Sequence, residues 1–229
     1  MHEGWYARRG KRLLDAAVAA LLLVALAPLL LIVAAAVRAA LGPGVLFRQV
    51  RAGRGGVPFT LYKFRSMRPP RRAGEPDAAR LTRFGRLLRA SGLDEAPQLL
   101  NVLRGEMSLV GPRPLPVEYL RHYTPRQATR LRVRPGLAGL AQARGRNAVP
   151  WGARLEWDAR YAARVTLRGD AVAFLGTLRV LLSGRGASAP GHATMPAFLR
   201  AAPHQPSGLG RVPRAGGSAL AAWRPGPRC

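Results

Sequence analysis

Acidic residues are scarce in this chain, 11 against 37 Lys and Arg, so their placement carries information. The only adjacent pair is Asp94 and Glu95, in Ser91-Gly92-Leu93-Asp94-Glu95-Ala96-Pro97-Gln98. A glycine before the pair and a proline after it mark a turn feeding a helix, with both carboxylates at its start. Acids there act as ordinary caps and first-turn charges. They also can divide labour, one attacking or shuttling protons while the other holds a metal ion. The string alone leaves both readings open.

Groups suited to phosphate stand around the pair. Lys63 and Arg65 end a β-prone run, Arg89 precedes the dyad, Arg113 sits in Gly111-Pro112-Arg113-Pro114, and Arg146 and Asn147 close Arg144-Gly145-Arg146-Asn147. The guanidinium fork matches phosphate oxygens, and a Pro-bounded turn holds it in one orientation. With 35 Arg in the chain, a single arginine is weak evidence. The Ala, Gly, Pro and Arg excess reads as drift in a GC-rich genome. Against that drift, Lys63 is the only lysine beyond Lys11, and Asn101 and Asn147 are the only asparagines.

The elements that must position these groups follow from pattern. Ala16 to Val37 is 22 residues without a charge, about 33 Å as a helix, enough to cross a hydrocarbon core. Pro28 lies near its middle and predicts a break or kink. Arg8, Arg9, Lys11 and Arg12 precede the segment and Arg38, Arg48, Arg51 and Arg54 follow it. Basic flanks on both sides favour a re-entrant helix with both ends in the cytoplasm over a single span, although kinked spanning helices also occur. Gly42 to Met67 reads as a β-hairpin turning at Gly53–Gly56. Arg68 to Ala79 reads as a mobile loop. Helices are expected over Leu81–Ala90, Leu99–Leu103, Glu118–Leu131, Arg154–Arg164 and Asp170–Leu182, the last with Asp170 as N-cap. Glu118–Leu131 and Arg154–Arg164 have the Arg-rich and aromatic character of interface helices, or equally of ordinary packing helices with solvated basic faces. From Gly184 onward the chain has 8 Gly, 7 Pro, 6 Arg and no acid, a composition that does not pack. The expected fold is α+β and membrane-associated: an N-terminal re-entrant helix (1–41), a small, mostly helical catalytic domain with a β-hairpin and amphipathic interface helices (42–183), and a mostly disordered tail (184–229).

Composition sets the outer limits. A length of 229 residues suits one domain with a tail, and 48 % hydrophobic residues exclude disorder throughout. The single cysteine, Cys229, excludes an internal disulfide and a Cys-cluster metal site. Four scattered histidines argue against His-based zinc chemistry or a Ser-His-Asp hydrolase, and no P-loop or dinucleotide glycine string is present. The net charge of +26 admits nucleic acid, an anionic membrane or an acidic small substrate.

Several strings together resemble the small monotopic phosphoglycosyl transferase family of bacterial sugar transferases: KRLLD (Lys11 to Asp15), FRQ (Phe47 to Gln49), PFTLYKFRSM (Pro58 to Met67), LDEAPQLLNVLRGEMSLVGPRP (Leu93 to Pro114), RPGLAGLAQARGRN (Arg134 to Asn147) and LEWDARY (Leu155 to Tyr161). The resemblance covers residues 11 to about 183, in order. It implies transfer of a sugar-1-phosphate from a UDP-sugar to undecaprenyl phosphate at the bacterial inner membrane, with the catalytic domain facing the cytoplasm. It makes Asp94 the nucleophile of a covalent phosphosugar intermediate and Glu95 the ligand of Mg²⁺. Lys63, Arg65, Arg89, Arg113, Arg146 and Asn147 become contacts of phosphate or nucleotide, and the proline break of a re-entrant anchor maps to Pro28. Glu106 stands where the family usually has Asp. Gly191 to Phe198 resembles a segment of relatives acting on N-acetylated or diacetamido-trideoxy UDP-sugars. The expected partners are the UDP-sugar, undecaprenyl phosphate and the membrane, with a homodimer allowed and no specific nucleic acid. The alternative functions, a basic nucleic-acid-binding membrane protein or a membrane scaffold, leave the dyad and its flanking strings without a role.

Overall fold

The computed structural model describes residues 5–183 together with Ala197 and Phe198; the expected disordered tail therefore lies outside the described residues except for those two. A π-helical turn, Tyr6–Gly10, leads into α1 (Lys11–Leu41). This helix is long and apolar enough to cross a membrane, and only 11 % of its most apolar 18-residue window is buried in the protein. Pro28 lies inside α1, with helical residues on both sides of it. A proline deletes one backbone bond and bends the ladder locally, and the flanking turns carry the helix on.

Both ends of α1 are fastened to the same folded unit. Near its start, Arg12 donates to the carbonyls of Val102 (2.5 Å) and Leu103 (2.7 Å). These belong to the last turn of α4 (Leu99–Arg104), where the Val102 carbonyl also accepts from Gly105 N (3.0 Å). Asp15, 4 % exposed, accepts from Ser108 Oγ (2.7 Å) and Leu109 N (3.1 Å). At the other end, Arg65 donates to the carbonyls of Leu41 (2.6 Å) and Gly42 (2.7 Å) and so caps the C-terminus of α1.

The hairpin forms as expected. β1 (Leu46–Ala52) and β2 (Pro58–Phe64) pair antiparallel, from Leu46 opposite Phe64 to Ala52 opposite Pro58. Phe59 and Leu61 point to one face by the two-residue period and pack with Ala19, Leu99, Val102 and Met107. Phe64 packs with Val33, Val37 and Leu41 of α1 and with Leu88. The segment after β2, expected as a mobile loop, is instead pinned. Arg68 forks onto Glu75, which also accepts from Arg71 N (2.8 Å), and a short α2 (Asp77–Arg80) follows. Next come α3 (Arg83–Ser91), capped by Thr82, and α4. β3 (Ser108–Val110) then pairs in parallel with β4 (Gly136–Ala138).

Three helical expectations need correction. Glu118–Leu131 is not one helix. It divides into a 3₁₀ turn (Val117–His122), α5 (Pro125–Ala128) and a second 3₁₀ turn (Thr129–Arg132). Pro125 disfavours helical geometry at the residue before it, and Thr124 and Gln127 instead form a capping box. After α6 (Leu140–Ala143), α7 (Trp151–Ala163) is a core helix with Arg154, Leu155, Asp158 and Tyr161 buried, not an interface helix. The last helix, α8, runs from Leu167 to Leu182 with Thr166 as its cap. Asp170 lies inside its first turn, 5 % exposed, and accepts from Tyr6 Oη (2.6 Å), Lys11 Nζ (2.6 Å) and Tyr161 Oη (2.8 Å). On α8, Val172, Leu175 and Leu182 are exposed alongside Arg168 and Arg179.

Asp15→Ala removes the acceptor for two buried or half-buried donors that join α1 to β3. Such an unsatisfied site costs about 1–3 kcal/mol. The midpoint of chemical unfolding in detergent should fall correspondingly, while Arg48→Ala on the outer face of β1 should leave it unchanged.

Candidate active site

α3 stops at Gly92, which takes the left-handed conformation (φ 74°) that glycine tolerates. The chain then turns into a 3₁₀ helix, Leu93–Gln98, with Asp94 and Glu95 in its first turn. A second glycine sets the approach of α3 to the hairpin. A Cβ on Gly85 would stand 1.8 Å from the Ser66 carbonyl oxygen, so only glycine lets the helix come this close. At that separation Arg89 Nε donates to Ser66 Oγ (2.8 Å), which holds Arg89 beside the dyad.

The two carboxylates have different surroundings. Glu95 is gripped by Arg113, with Nη2 to Oε1 at 2.5 Å and Nη1 to Oε2 at 3.2 Å, and Lys63 Nζ lies 3.5 Å from Oε1. Burial works to raise its pKa, but the charges of Arg113 and Lys63 win, and its carboxyl is held well below the usual carboxylate range. Asp94 is 5 % exposed and makes no hydrogen bond or ion pair among the described residues. Burial, and then the charge of Glu95, push its carboxyl up to about 6 against the pull of Lys63, Arg89 and Arg113. One carboxylate is thus fixed and permanently ionised. Its neighbour is unpartnered, more basic, and still mostly ionised at neutral pH.

Both line one cavity of about 540 Å³. Every residue selected from the sequence lies in its wall: Asp94, Glu95, Lys63, Arg65, Arg89, Arg113, Arg146 and Asn147. Arg65 lines it while spending its tip on the end of α1. Glu106 is absent from the wall and accepts from Asn101 Nδ2 (2.7 Å), which also donates to the Thr60 carbonyl (2.7 Å). Sequence reasoning missed Arg51, Gln49, Arg154, Tyr119 and Trp151. For Gln49 and Arg51 the signal was the two-residue strand period, which puts Phe47, Gln49 and Arg51 on one face of β1 opposite Lys63, Leu61 and Phe59. Arg51 Nη2 donates to Gln49 Oε1 (2.6 Å), and burial together with the nearby charge of Arg113 pushes its guanidinium down to about 10. Phe198 packs behind the wall against Tyr119, Trp151 and Leu115.

The wall carries nine cationic side chains and three carboxylates, and the buried Arg146 Nη1 and Arg51 Nε have no hydrogen-bond partner among the described residues. A buried donor without an acceptor is costly, and a surplus of guanidinium groups supplies what a polyanionic ligand needs. The wall thus offers a surplus of positive charge beside an unpartnered carboxylate.

The comparisons agree with this chemistry. Residues 6–184 match the model of the bacterial sugar transferase family. The chain is 44 % identical over 191 residues to the uncharacterized sugar transferase EpsL of Bacillus subtilis, covering 82 % of this chain and 95 % of that protein. It is 50 % identical over 145 residues to a UDP-glucose:undecaprenyl-phosphate glucose-1-phosphate transferase of Caulobacter vibrioides, covering 59 % of this chain and 54 % of that protein. It is 36 % identical over 197 residues to an undecaprenyl-phosphate galactose phosphotransferase of Salmonella typhimurium, covering 77 % of this chain and 41 % of that protein. The chain thus spans nearly all of one relative and about half or less of the two whose names state a reaction. With a family match running from the π-helical turn before α1 to the end of α8, the chain belongs to the bacterial sugar transferases.

Proposed function

We propose that the protein transfers a sugar-1-phosphate from a UDP-sugar to undecaprenyl phosphate by way of an aspartyl-phosphosugar intermediate, the first membrane step in assembling a bacterial glycoconjugate such as an exopolysaccharide. The observation that carries this reading is the asymmetric dyad, Asp94 buried without a partner beside Glu95 gripped by Arg113. An Asp94 carboxylate oxygen attacks the phosphorus that bears the sugar. The P–O bond to the nucleotide breaks and UMP leaves with the electron pair. Undecaprenyl phosphate then attacks the same phosphorus, and Asp94 departs as the carboxylate, with no net proton exchange. Arg89, Lys63 and Arg113 stabilise charge on the transferring and departing phosphates, and a covalent intermediate lets one cavity serve two unlike substrates in turn. The names of the Caulobacter and Salmonella relatives point to the same acceptor and reaction class.

The donor set also suits Mg²⁺. Two adjacent carboxylates, completed by phosphate oxygens and water, are a usual arrangement for that ion. Carboxylate oxygens keep lone pairs beyond those given to Arg113, so Glu95 would hold the metal. Bound there, Mg²⁺ supplies charge neutralisation on the diphosphate.

The reading places α1 in the inner membrane as a helix that enters and returns on the cytoplasmic side. It is supported by the attachment of both helix ends, through Arg12 and Asp15 at one and Arg65 at the other, to the same domain. A straight span of 31 residues would separate its ends by about 46 Å. The exposed apolar and basic side chains of α8 add an interfacial surface.

Three outcomes follow. Asp94→Asn should lower transfer at least about a thousandfold and abolish retention of ³²P from β-labelled UDP-sugar on the protein, with membrane insertion unchanged; several per cent residual activity would refute nucleophilic catalysis by Asp94. Because Asp94 must be ionised and its carboxyl lies near 6, kcat/KM should fall about tenfold per pH unit below about pH 6 and level off above it. A cysteine placed at Gly4, with Cys229 replaced, should resist a membrane-impermeant thiol reagent in intact cells; labelling equal to a periplasmic control would show a true span.

A further inference from the structure

Arg113 and Arg146 both line the cavity and both lower the pKa of Glu95 by their charge. Arg113 lies outside any helix or strand, and Arg146 opens a three-residue 3₁₀ turn, Arg146–Ala148. Arg113 lies between two prolines after β3, and Arg146 is the one non-glycine residue with positive φ (51°) among those described. Each carbonyl accepts from a buried arginine. Arg130 Nη2 donates to the Arg113 carbonyl oxygen at 2.6 Å, and Arg154 Nη2 donates to that of Arg146 at 2.5 Å. Arg130 also donates to Asp158 Oδ2 through Nε (3.1 Å) and Nη2 (2.7 Å), and to Tyr123 Oη through Nη1 (3.2 Å). Asp158 and Arg154 sit one turn apart on α7. Arg130, Arg154 and Asp158 are 3 %, 4 % and 1 % exposed, and neither Arg130 nor Asp158 lines the cavity.

We infer that Arg130 and Asp158 are positioning residues, a strut from α7 that fixes the backbone of Arg113 so that its fork meets Glu95 and the incoming phosphates. The energetics favour this over a purely structural purpose. A buried ion pair seldom stabilises a fold more than apolar side chains of the same volume. What an apolar pair cannot supply is a donor aimed at the Arg113 carbonyl while its other N–H groups are locked. Arg130 forks between that carbonyl and Asp158; an ammonium has no such rigid fork.

The inference rests on the proposed phosphate chemistry, so its test reads anion binding separately from sugar transfer. Removing Arg130 alone would strand a buried Asp158 and risk unfolding. The informative variant is the double substitution Arg130→Met with Asp158→Leu, compared with Arg130→Lys, which keeps the ion pair but not the fork. Each full-length protein is purified in detergent. Its melting temperature is measured with and without inorganic pyrophosphate, and donor kinetics are measured with UDP-sugars. The double variant should melt within a few degrees of the native protein, bind pyrophosphate at least tenfold more weakly, and show a raised donor KM with a lower kcat. Arg130→Lys should recover stability without recovering pyrophosphate affinity. A folded double variant that binds pyrophosphate as tightly as the native protein overturns the strut, whether or not sugar is transferred. Likewise, full recovery of affinity by Arg130→Lys would make the ion pair merely structural. A native protein that binds pyrophosphate and transfers no UDP-sugar phosphate counts against the proposed function and leaves the strut to stand on the binding comparison.

Discussion

Two adjacent carboxylates buried in one cavity repel each other, and the site works only if the repulsion is resolved unequally. The grip of Arg113 and Lys63 on Glu95 does this. With Glu95 fixed as an anion, its field falls on Asp94 and adds to burial in making that group more basic. A nucleophile benefits from basicity as long as it stays ionised. The cations around Asp94 keep its carboxyl from rising further, so reactivity and ionisation coexist near neutral pH. Removing the grip would leave two groups competing for one proton, with neither role defined.

That grip requires three segments far apart in sequence to converge. β2 delivers Lys63, the turn after β3 delivers Arg113, and the left-handed Gly92 starts the 3₁₀ helix that presents both acids. The parallel pair β3–β4 anchors the Arg113 turn, with Gly111 N donating to the Ala138 carbonyl and Gly136 N to the Pro112 carbonyl. Asn101, fully buried, bonds the backbone of Tyr62 and of Thr60, so α4 and β2 move as one body. The drift toward arginine elsewhere in the chain cannot replace an amide that both donates and accepts, which gives a physical reason for the rare asparagine at this position.

The site was legible in the sequence to the extent that its residues are tied to local turn chemistry. Asp94 and Glu95 between a glycine and a proline, Arg113 between two prolines, and Lys63 at the end of a β-prone run all carry short-range signals, and the structure brings them to one cavity. The hairpin and α3 were legible for the same reason. What escaped depends on distant partners. Asp170 reads as a helix cap because its true partners, Tyr6 and Lys11, lie 164 and 159 positions away. Arg51, Arg130 and Arg154 were hidden among 35 arginines, since only tertiary packing separates a buried guanidinium from a solvated one. The segment around Pro125 followed a helical pattern that one proline interrupts, a local signal that amphipathic spacing outweighed.

The anchor and the chemistry meet in three consecutive residues at the end of β2. Lys63 faces Glu95, Phe64 packs against Val33, Val37 and Leu41 of α1, and Arg65 caps the carbonyls at the end of α1. Successive strand residues alternate faces, so one extended segment touches both the active site and the apolar helix without any intervening hinge. A shift of α1 relative to the domain would drag Phe64 and Arg65 with it, and with them Lys63. The depth at which the apolar helix settles in a bilayer therefore fixes the height of Asp94 above the hydrocarbon. The proposed transfer, whose acceptor would carry its phosphate at the headgroup level, needs that height to be constant, and a rigid connection through β2 would provide it where a flexible linker would not.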